Sequence, residues 1–157
     1  MIRNLHRRNL PCPKEQATFL LEQLASKDDQ LWPSQNWPRL RLDAGLNPGS
    51  KGGHGPIRYF IEEHQPGTWI KFRFTGPRGF HGFHALHLRA HDHGSILEHD
   101  LQMNASWLGW LKWHLIFRPL HDALIEDALD NAARQFGQAR ESKPYSLYVR
   151  LLRALVR

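Results

Sequence analysis

The chain of 157 residues contains a single cysteine, Cys12, so it cannot form a disulfide bond within itself. This scarcity of cysteine agrees with a reducing compartment. No apolar run approaches the roughly 20 residues that cross a bilayer. Residues 1–13 also lack the apolar core of about 7 to 15 residues that a secretory signal needs. We therefore expect a cytoplasmic protein without a membrane-spanning helix.

Basic residues exceed acidic ones, giving a net charge of +6, but the excess lies at the two ends of the chain. Residues 1–14 hold four basic residues and no acidic residue, and residues 139–157 hold five basic residues and one acidic residue. The long segment between them is slightly acidic. No helix-turn-helix, zinc-finger or aromatic ribonucleoprotein motif accompanies the basic ends. The charge pattern therefore argues against nucleic acid as a partner.

The sequence holds 11 histidines but no metal-binding motif. His81, His84 and His87 would share one face of a helix, whereas a strand directs alternate residues to opposite faces. The HExxH motif and the Cys/His pairs of zinc sites are lacking. The glycine-rich segment 44–55 lacks the spacing of a phosphate-binding loop and leads toward a strand. We expect no metal and no cofactor, and we interpret segment 44–55 as a connection or cavity-mouth loop.

The first third of the chain predicts a strand, a helix and a compact turn. Residues 2–9 favour a short strand. Residues 13–27 place apolar side chains on one side of a helix that begins after Pro13. Two Trp-Pro pairs within residues 31–38 disfavour a helix and predict a turn whose tryptophans plug the edge of the core. Residues 39–43 favour a second strand.

Between residues 55 and 104, apolar and polar side chains alternate with the period of two that is typical of half-buried strands. Turn sequences at residues 65–67, 76–79 and 92–94 divide this region into four antiparallel strands. In the third strand His84 shares a face with Leu86, and in the fourth strand His99 shares a face with Leu101. If these apolar faces point inward, both histidines point inward as well.

Residues 107–136 carry a long amphipathic pattern with an apolar face at helical spacing. The apolar face consists of Trp110, Trp113, Phe117, Leu120, Leu124, Ala128 and Ala132. His114 and His121 fall within the same face. Pro119 removes a helical hydrogen bond, so the helix is expected to kink there, or else to break after Phe117.

Gly137 fits the end of this helix, and a polar linker then leads to a basic amphipathic segment, residues 145–157. Such a segment can lie on an anionic membrane. It can also dock on the body of the chain or on a second copy, and we favour docking. The chain therefore divides into a ligand-binding domain, residues 1–137, and a linker with a C-terminal segment, residues 138–157.

The order of strand, helical segment, antiparallel strands and long C-terminal helix resembles that of the START-like or SRPBCC superfamily. The resemblance is carried by GGHGPIRYFIEEHQPGTWIKFRF, HGFHALHL and RPLHDALIEDALDNA, within residues 2–137. It implies an α+β helix-grip fold, in which a curved antiparallel β-sheet wraps around the long C-terminal helix. It also implies a pocket for lipids, polyketides or other apolar molecules. Some members of the superfamily are enzymes, and many only bind ligands.

The candidate site consists of side chains that we predict to line this pocket. The polar candidates are Tyr59, His84, His99, His114, Arg118 and His121, and the apolar candidates are Phe72, Phe74, Leu86, Leu101 and Leu124. A neutral imidazole can donate one hydrogen bond and accept another, and it titrates at about pH 6.5. For each histidine the alternative is a hydrogen-bonded core residue.

Three functions are compatible with these residues. The leading hypothesis is binding of a hydrophobic small molecule between the sheet and the long helix. The first alternative is a polyketide cyclase or dehydratase-like enzyme in which histidine and Tyr59 act as acid and base. The second is a lipid-binding module that contacts the membrane periphery, or a second copy of the chain, through the C-terminal segment.

Overall fold

Seven antiparallel strands form one curved sheet in the computed structural model, which describes residues 1–138 and 144–155. The strands are β1 (Ile2–Leu10), β2 (Arg41–Leu42), β3 (Lys51–His54), β4 (Ile57–Gln65), β5 (Trp69–Gly76), β6 (Phe80–His91) and β7 (Gly94–Ala105). Their order across the sheet is β1-β7-β6-β5-β4-β3-β2. Strands β2 to β7 therefore follow one another as neighbours, and β1 covers the free edge of β7.

The four central strands confirm the prediction made from the period-two pattern. In the register of β6 and β7, His84 lies opposite Leu101 and Leu86 lies opposite His99. His84 and His99 are therefore diagonal neighbours on one face of the sheet, and both are buried. This face carries most of the core, together with the long helix that packs across it.

The predicted helix over residues 13–27 is wrong in its length. The structure has two short helices instead, α1 (Lys14–Ala17) and α2 (Phe19–Glu22). The Asp29 carboxylate accepts the backbone N–H of Ala25 at 2.7 Å, and Ala25 adopts a positive φ of 64°. Side chains such as Asp29 compete with helical hydrogen bonds for the backbone, which explains why the helix ends early.

The glycine-rich segment 44–55 is only partly a loop, because its second half forms strand β3. Strand β3 pairs with β4, and Gly52 lies opposite Tyr59. A Cβ atom on Gly52 would lie 1.9 Å from the Arg41 carbonyl oxygen of β2. Glycine therefore allows the backbones of β2 and β3 to approach closely at this edge of the sheet.

The long helix continues from residue 107 to residue 134, so the alternative of a break after Phe117 is excluded. It consists of α3 (Trp107–Lys112), a π-helical segment (Trp113–Phe117) and α4 (Arg118–Arg134). In the π segment the Arg118 N–H donates to the Trp113 carbonyl, one residue further back than in an α-helix. This wider turn directly precedes Pro119, which has no N–H to donate.

The wider turn changes which residues at the start of the helix face the sheet. Trp113 is buried as predicted, whereas Trp110 is 45% exposed and its inward position is taken by the buried Gly109. A Cβ atom on Gly109 would lie 2.9 Å from the Gly79 carbonyl oxygen. The prediction for Trp110 is wrong because it assumed the α-helical rotation of about 100° for every residue.

Helix α5 (Leu147–Leu155) packs on the body of the same chain through the buried side chains of Val149 and Leu152. The Tyr148 hydroxyl donates to the Leu115 carbonyl, the carbonyl to which residue 119 would donate in a regular α-helix. Of the predicted C-terminal segment, Val156 and Arg157 lie outside the described residues, as does most of the linker. Among the described helices, none combines the length and the apolar character needed to cross a bilayer.

The close contact between β6 and β7 predicts that Gly82→Ala destabilises the fold. A Cβ atom on Gly82 would lie 2.1 Å from the Gln102 carbonyl oxygen, so the two strands would have to separate. We expect a loss of about 1 to 3 kcal/mol in the free energy of unfolding, measured by urea denaturation. Gly76→Ala is the control, since its Cβ would make an ordinary contact of 3.4 Å with Arg58. Equal stability of the two variants would contradict this account.

Candidate functional site

A cavity of about 420 Å³ lies between the concave face of the sheet and the long helix. Strands β4 to β7, the π segment and α4 supply its walls. Exposed lining residues at 34–36 and 55–56 place its mouth beside the Trp-Pro turn and the loop between β3 and β4. Nine of the eleven predicted residues line it, namely Tyr59, Phe72, Phe74, His84, Leu86, His99, Leu101, His121 and Leu124.

Two of the predicted residues, His114 and Arg118, do not line the cavity, so the prediction is wrong for both. His114 packs against the exposed Trp110, with ring centroids 4.4 Å apart. The Arg118 side chain is 51% exposed, and its Nε lies 3.6 Å from Asp122 Oδ2. Both residues lie at or next to the π segment, where the wider turn removes them from the face predicted for a regular α-helix.

His84 and His99 form a hydrogen-bonded pair beneath the helix. His99 Nε2 and His84 Nδ1 lie 3.3 Å apart, and the two residues are only 2% and 8% exposed, respectively. The His84 ring stacks on Phe72 and on Phe74, with centroids 4.8 and 5.1 Å away. Burial lowers the pKa of both imidazoles well below the usual value, so the pair is uncharged at neutral pH.

This pair always offers one donor and one acceptor at its outer nitrogens. A neutral imidazole carries one N–H and one lone pair, and one inner nitrogen must donate to the other. If His99 donates, its outer Nδ1 is the acceptor and the outer Nε2 of His84 is the donor. If His84 donates, the roles are reversed. Both outer nitrogens are buried and have no hydrogen-bond partner among the described residues.

Tyr59 is the third polar group on the sheet side of the cavity. Its hydroxyl lies 3.1 Å from His54 Nδ1, and the residue is 1% exposed. Burial raises the pKa of the Tyr59 phenol far above its ordinary value, so it stays protonated. Burial also lowers the pKa of His54 to about 3, and His54 is therefore neutral.

His54 lines the cavity and lies outside the predicted set of site residues. It belongs to the glycine-rich segment 44–55, for which the sequence predicts a connection or cavity-mouth loop. The two residues Gly55 and Pro56 separate His54 from Ile57, and a two-residue connection that contains glycine is typical of a β-hairpin. That signal predicts that His54 ends a strand paired with β4, as the structure has it.

Aromatic residues outside the predicted set complete the wall. Trp32 and Trp37 are buried at its edge, in agreement with the predicted plug at residues 31–38. The Trp37 indole Nε1 donates to Asp127 Oδ2 at 2.7 Å, which fixes the turn against α4. Trp113 and Phe117 of the π segment also line the cavity. They belong to the predicted apolar face but were not named as ligand contacts.

His121 lines the cavity from the helix side, as the prediction required. Its ring lies 5.0 Å from that of His99 and 5.5 Å from that of Trp113. Burial lowers the pKa of His121, and the nearby Asp122 carboxylate partly offsets this effect. His121 Nδ1 is buried and lies 3.7 Å from Asp122 Oδ1, which is too far for a hydrogen bond.

His6, His121 and Asp122 are the group in the described chain whose atoms lie close enough to hold a metal ion, within 4.8 Å of one another. Both nitrogens of His6 already face carboxylates, Asp122 at 3.2 Å and Glu126 at 2.8 Å. Burial alone would lower the pKa of His6, but these two carboxylates raise it overall. We therefore interpret the group as an ion-pair network that joins β1 to α4.

No protein-family model and no curated protein matches the sequence. Solved structures match it in fold. A Thermobifida fusca protein solved by solution NMR has a TM-score of 0.67 at 13% identity, covering 93% of this chain and 100% of that chain. The crystal structure of CalU16 from Micromonospora echinospora has a TM-score of 0.60 at 14% identity, covering 98% of this chain and 82% of that chain.

A third similar structure is a point mutant of norcoclaurine synthase from Thalictrum flavum, in complex with a transition-state analogue. Its TM-score is 0.64 at 10% identity, covering 87% of this chain and 96% of that chain. Such low identities establish a shared fold and leave activity open. The α+β helix-grip fold that the START-like resemblance implied is thereby confirmed for this chain.

Acid is expected to destabilise the fold through its buried imidazoles. The folded-state pKa values of His84 and His99 lie below the value of about 6.5 that holds for an exposed histidine. Below that pH the unfolded chain binds protons that the folded chain does not. The free energy of unfolding should therefore decrease as the pH is lowered below this value, by up to about 1.4 kcal/mol per pH unit for each such histidine. Urea denaturation at several pH values measures this slope.

A variant and a control isolate the contribution of the pair. His99→Leu should reduce the slope by up to about 1.4 kcal/mol per pH unit, which corresponds to one proton. Leu97→Ala removes a buried side chain from the same strand but no titratable group, so it should leave the slope unchanged. The pKa of His6 is raised in the folded state, so His6 changes the pH dependence of stability in the opposite direction. The slope of each variant is therefore compared with that of the wild type, which contains the same His6. An unchanged slope in His99→Leu would contradict burial of a neutral pair.

Proposed function

We propose that the protein binds an apolar small molecule in the cavity between the sheet and the long helix. The observation that carries this proposal is the cavity itself. Its volume of about 420 Å³ falls within the range of ligand sites, which is about 300 to 1,000 Å³. Close-packed cores rarely leave voids larger than a water molecule. A space of this size is therefore poorly explained by structural packing alone.

The lining residues indicate the chemistry of the ligand. Aromatic and aliphatic side chains dominate the walls, and the imidazoles among them are neutral. Among the described lining residues, Arg153 at the mouth is the one with a permanent charge. Its guanidinium already donates to the Asn36 carbonyl and lies over the Trp37 ring. These features favour an uncharged, largely hydrocarbon ligand over a phosphorylated or multiply charged one.

The unpartnered nitrogens add a polar requirement. Leaving a buried donor or acceptor without a partner costs about 1 to 3 kcal/mol. A ligand hydroxyl or carbonyl would supply such a partner once a rotation of the His84 or His99 ring turned a covered outer nitrogen toward the cavity. The complex of norcoclaurine synthase with a transition-state analogue supports the use of this fold as a small-molecule site. We therefore propose an apolar ligand that carries at least one oxygen function.

A larger side chain on α4 that occupies part of the cavity tests the proposal. Ala128 lines the cavity, and Ala128→Phe would occupy part of its volume. We expect native mass spectrometry of freshly purified protein to detect a retained apolar compound in the wild type and not in Ala128→Phe. We also expect the affinity for an anilinonaphthalene sulfonate dye to fall roughly tenfold, which corresponds to 1.4 kcal/mol.

Ala154→Phe provides the matched control, because it makes the same substitution at an exposed position of α5. It should retain both the compound and the dye. Absence of any compound from the wild type, together with equal dye affinity in all three proteins, would overturn the binding proposal.

A second candidate function is acid–base catalysis by His84 and His99, favoured by their paired, unpartnered nitrogens. The outer lone pair would take a proton from a carbon next to a ligand carbonyl. The outer N–H would give its proton to the carbonyl oxygen, while the proton between the rings shifts across. A ketone would thus become its enol with no net change in charge. Tyr59 is less suited than predicted, because its hydroxyl already contacts His54.

The catalytic candidate predicts faster enolisation of benzoylacetone, followed by ultraviolet absorbance. His84→Leu should reduce the enzymatic rate by about a hundredfold, the lower end of the usual general acid–base contribution. His87→Leu is the control, because His87 lies on the same strand and faces away from the cavity. Equal rates for the wild type and His84→Leu would exclude catalysis by the pair. That result would leave the proposal of ligand binding in the cavity intact.

A further inference from the structure

Exposed hydrophobic side chains are concentrated on two helical stretches of the molecule. Among the described residues, ten of the twelve large hydrophobic side chains that are exposed lie on residues 107–116 or on helix α5. We call these ten side chains the apolar patch: Trp107, Leu108, Trp110, Leu111, Leu115, Ile116, Leu147, Tyr148, Leu151 and Leu155. Trp107 is the most exposed of the tryptophans, at 72%. Large exposed patches of this kind mark interaction sites.

The two halves of the apolar patch adjoin each other. The Tyr148 hydroxyl of α5 donates to the Leu115 carbonyl of the π segment. Val149 and Leu152 anchor the opposite side of α5 in the body of the protein. The anchored helix therefore holds its remaining apolar residues, such as Leu151, beside those of the long helix. The hydrogen bond between Tyr148 and Leu115 thus joins the two halves of the patch.

The charged residues within the two stretches that carry the apolar patch have one sign. Residues 106–121 and 144–155 contain the basic residues Lys112, Arg118, Arg150 and Arg153 and no acidic residue. The acidic residues of the long helix begin only at Asp122. Lys112 and Arg150 are exposed. The patch therefore combines apolar area with a basic rim formed by Lys112 and Arg150, whereas Arg118 lies 3.6 Å from Asp122.

The apolar area and the basic charge together favour a lipid surface over a second copy of the chain as the partner of the patch. A two-fold dimer through the patch would bring two identical basic rims together, and like charges oppose such an interface. An anionic bilayer offers the complementary negative charge, and its acyl chains offer an apolar environment for the leucine side chains. Tryptophan side chains such as Trp107 and Trp110 are favoured at the boundary between headgroups and acyl chains.

We propose that the apolar patch docks the protein peripherally on membranes that contain anionic lipids. The tryptophans and leucines would enter the interfacial layer, and Lys112 and Arg150 would lie at the level of the headgroups. This proposal extends membrane contact, the alternative considered for the C-terminal segment, to the start of the long helix. It does not depend on the ligand proposed for the cavity.

Co-sedimentation of the full chain with vesicles tests the proposal. Vesicles of phosphatidylcholine mixed with phosphatidylglycerol should sediment the wild type, and vesicles of phosphatidylcholine alone should do so weakly. Trp107→Glu and Leu151→Glu should each lower the partition coefficient roughly tenfold or more, because apolar contact area is lost. Lys112→Ala and Arg150→Ala should each lower it about fivefold, on anionic vesicles only.

Leu5→Glu is the matched control, because Leu5 is an exposed leucine outside the apolar patch, on β1. It should bind vesicles like the wild type, and circular dichroism should show that all variants keep the fold. Failure of the wild type to bind anionic vesicles would overturn the proposal, and so would equal binding by every variant. A dimer in sedimentation velocity that Trp107→Glu dissociates, without vesicle binding, would assign the patch to self-association instead.

Discussion

The missing N–H of Pro119 determines the hydrogen bonding of the long helix around it, and much of the molecule depends on how that gap is accommodated. The π segment widens the turn before the proline, and the Tyr148 hydroxyl reaches the Leu115 carbonyl that the proline cannot serve. The wider turn buries Trp113 over the sheet and leaves Trp110 in solvent. The burial of Trp113 in the cavity wall and the exposure of Trp110 in the apolar patch are thus two results of one local departure from α-helical geometry.

The second constraint is the electrostatic neutrality of the space beneath the helix. His84 and His99 are buried there, and a charged imidazole at either position would lose its hydration without gaining a carboxylate partner. His6 shows the contrast, because it lies between Asp122 and Glu126 at the outer side of the same helix, where its positive charge is stabilised. His121 lies between these two environments, since it lines the cavity and also adjoins Asp122.

The sequence predicted the parts of the site that depend on local periodicity. Alternation alone placed His84 and His99 on the inner face of the sheet, since a strand directs every second residue to the same side. Local periodicity failed for His114, Arg118 and Trp110, because the π segment changes the rotation per residue. His54 was missed because its position depends on the pairing of β3 with β4. The helix predicted over residues 13–27 was shortened by Asp29, whose side chain binds the Ala25 backbone.

The cavity between sheet and helix also has a volumetric consequence. Unfolding eliminates internal voids, so a folded protein whose cavity excludes water occupies more volume than the same chain unfolded in water. Hydrostatic pressure favours the state of smaller volume and therefore acts directly on this cavity of about 420 Å³. An occupant that fills it would remove that difference without altering the hydrogen bonds of the fold. Empty and filled forms of the protein would then differ more in their resistance to pressure than in their backbone structure.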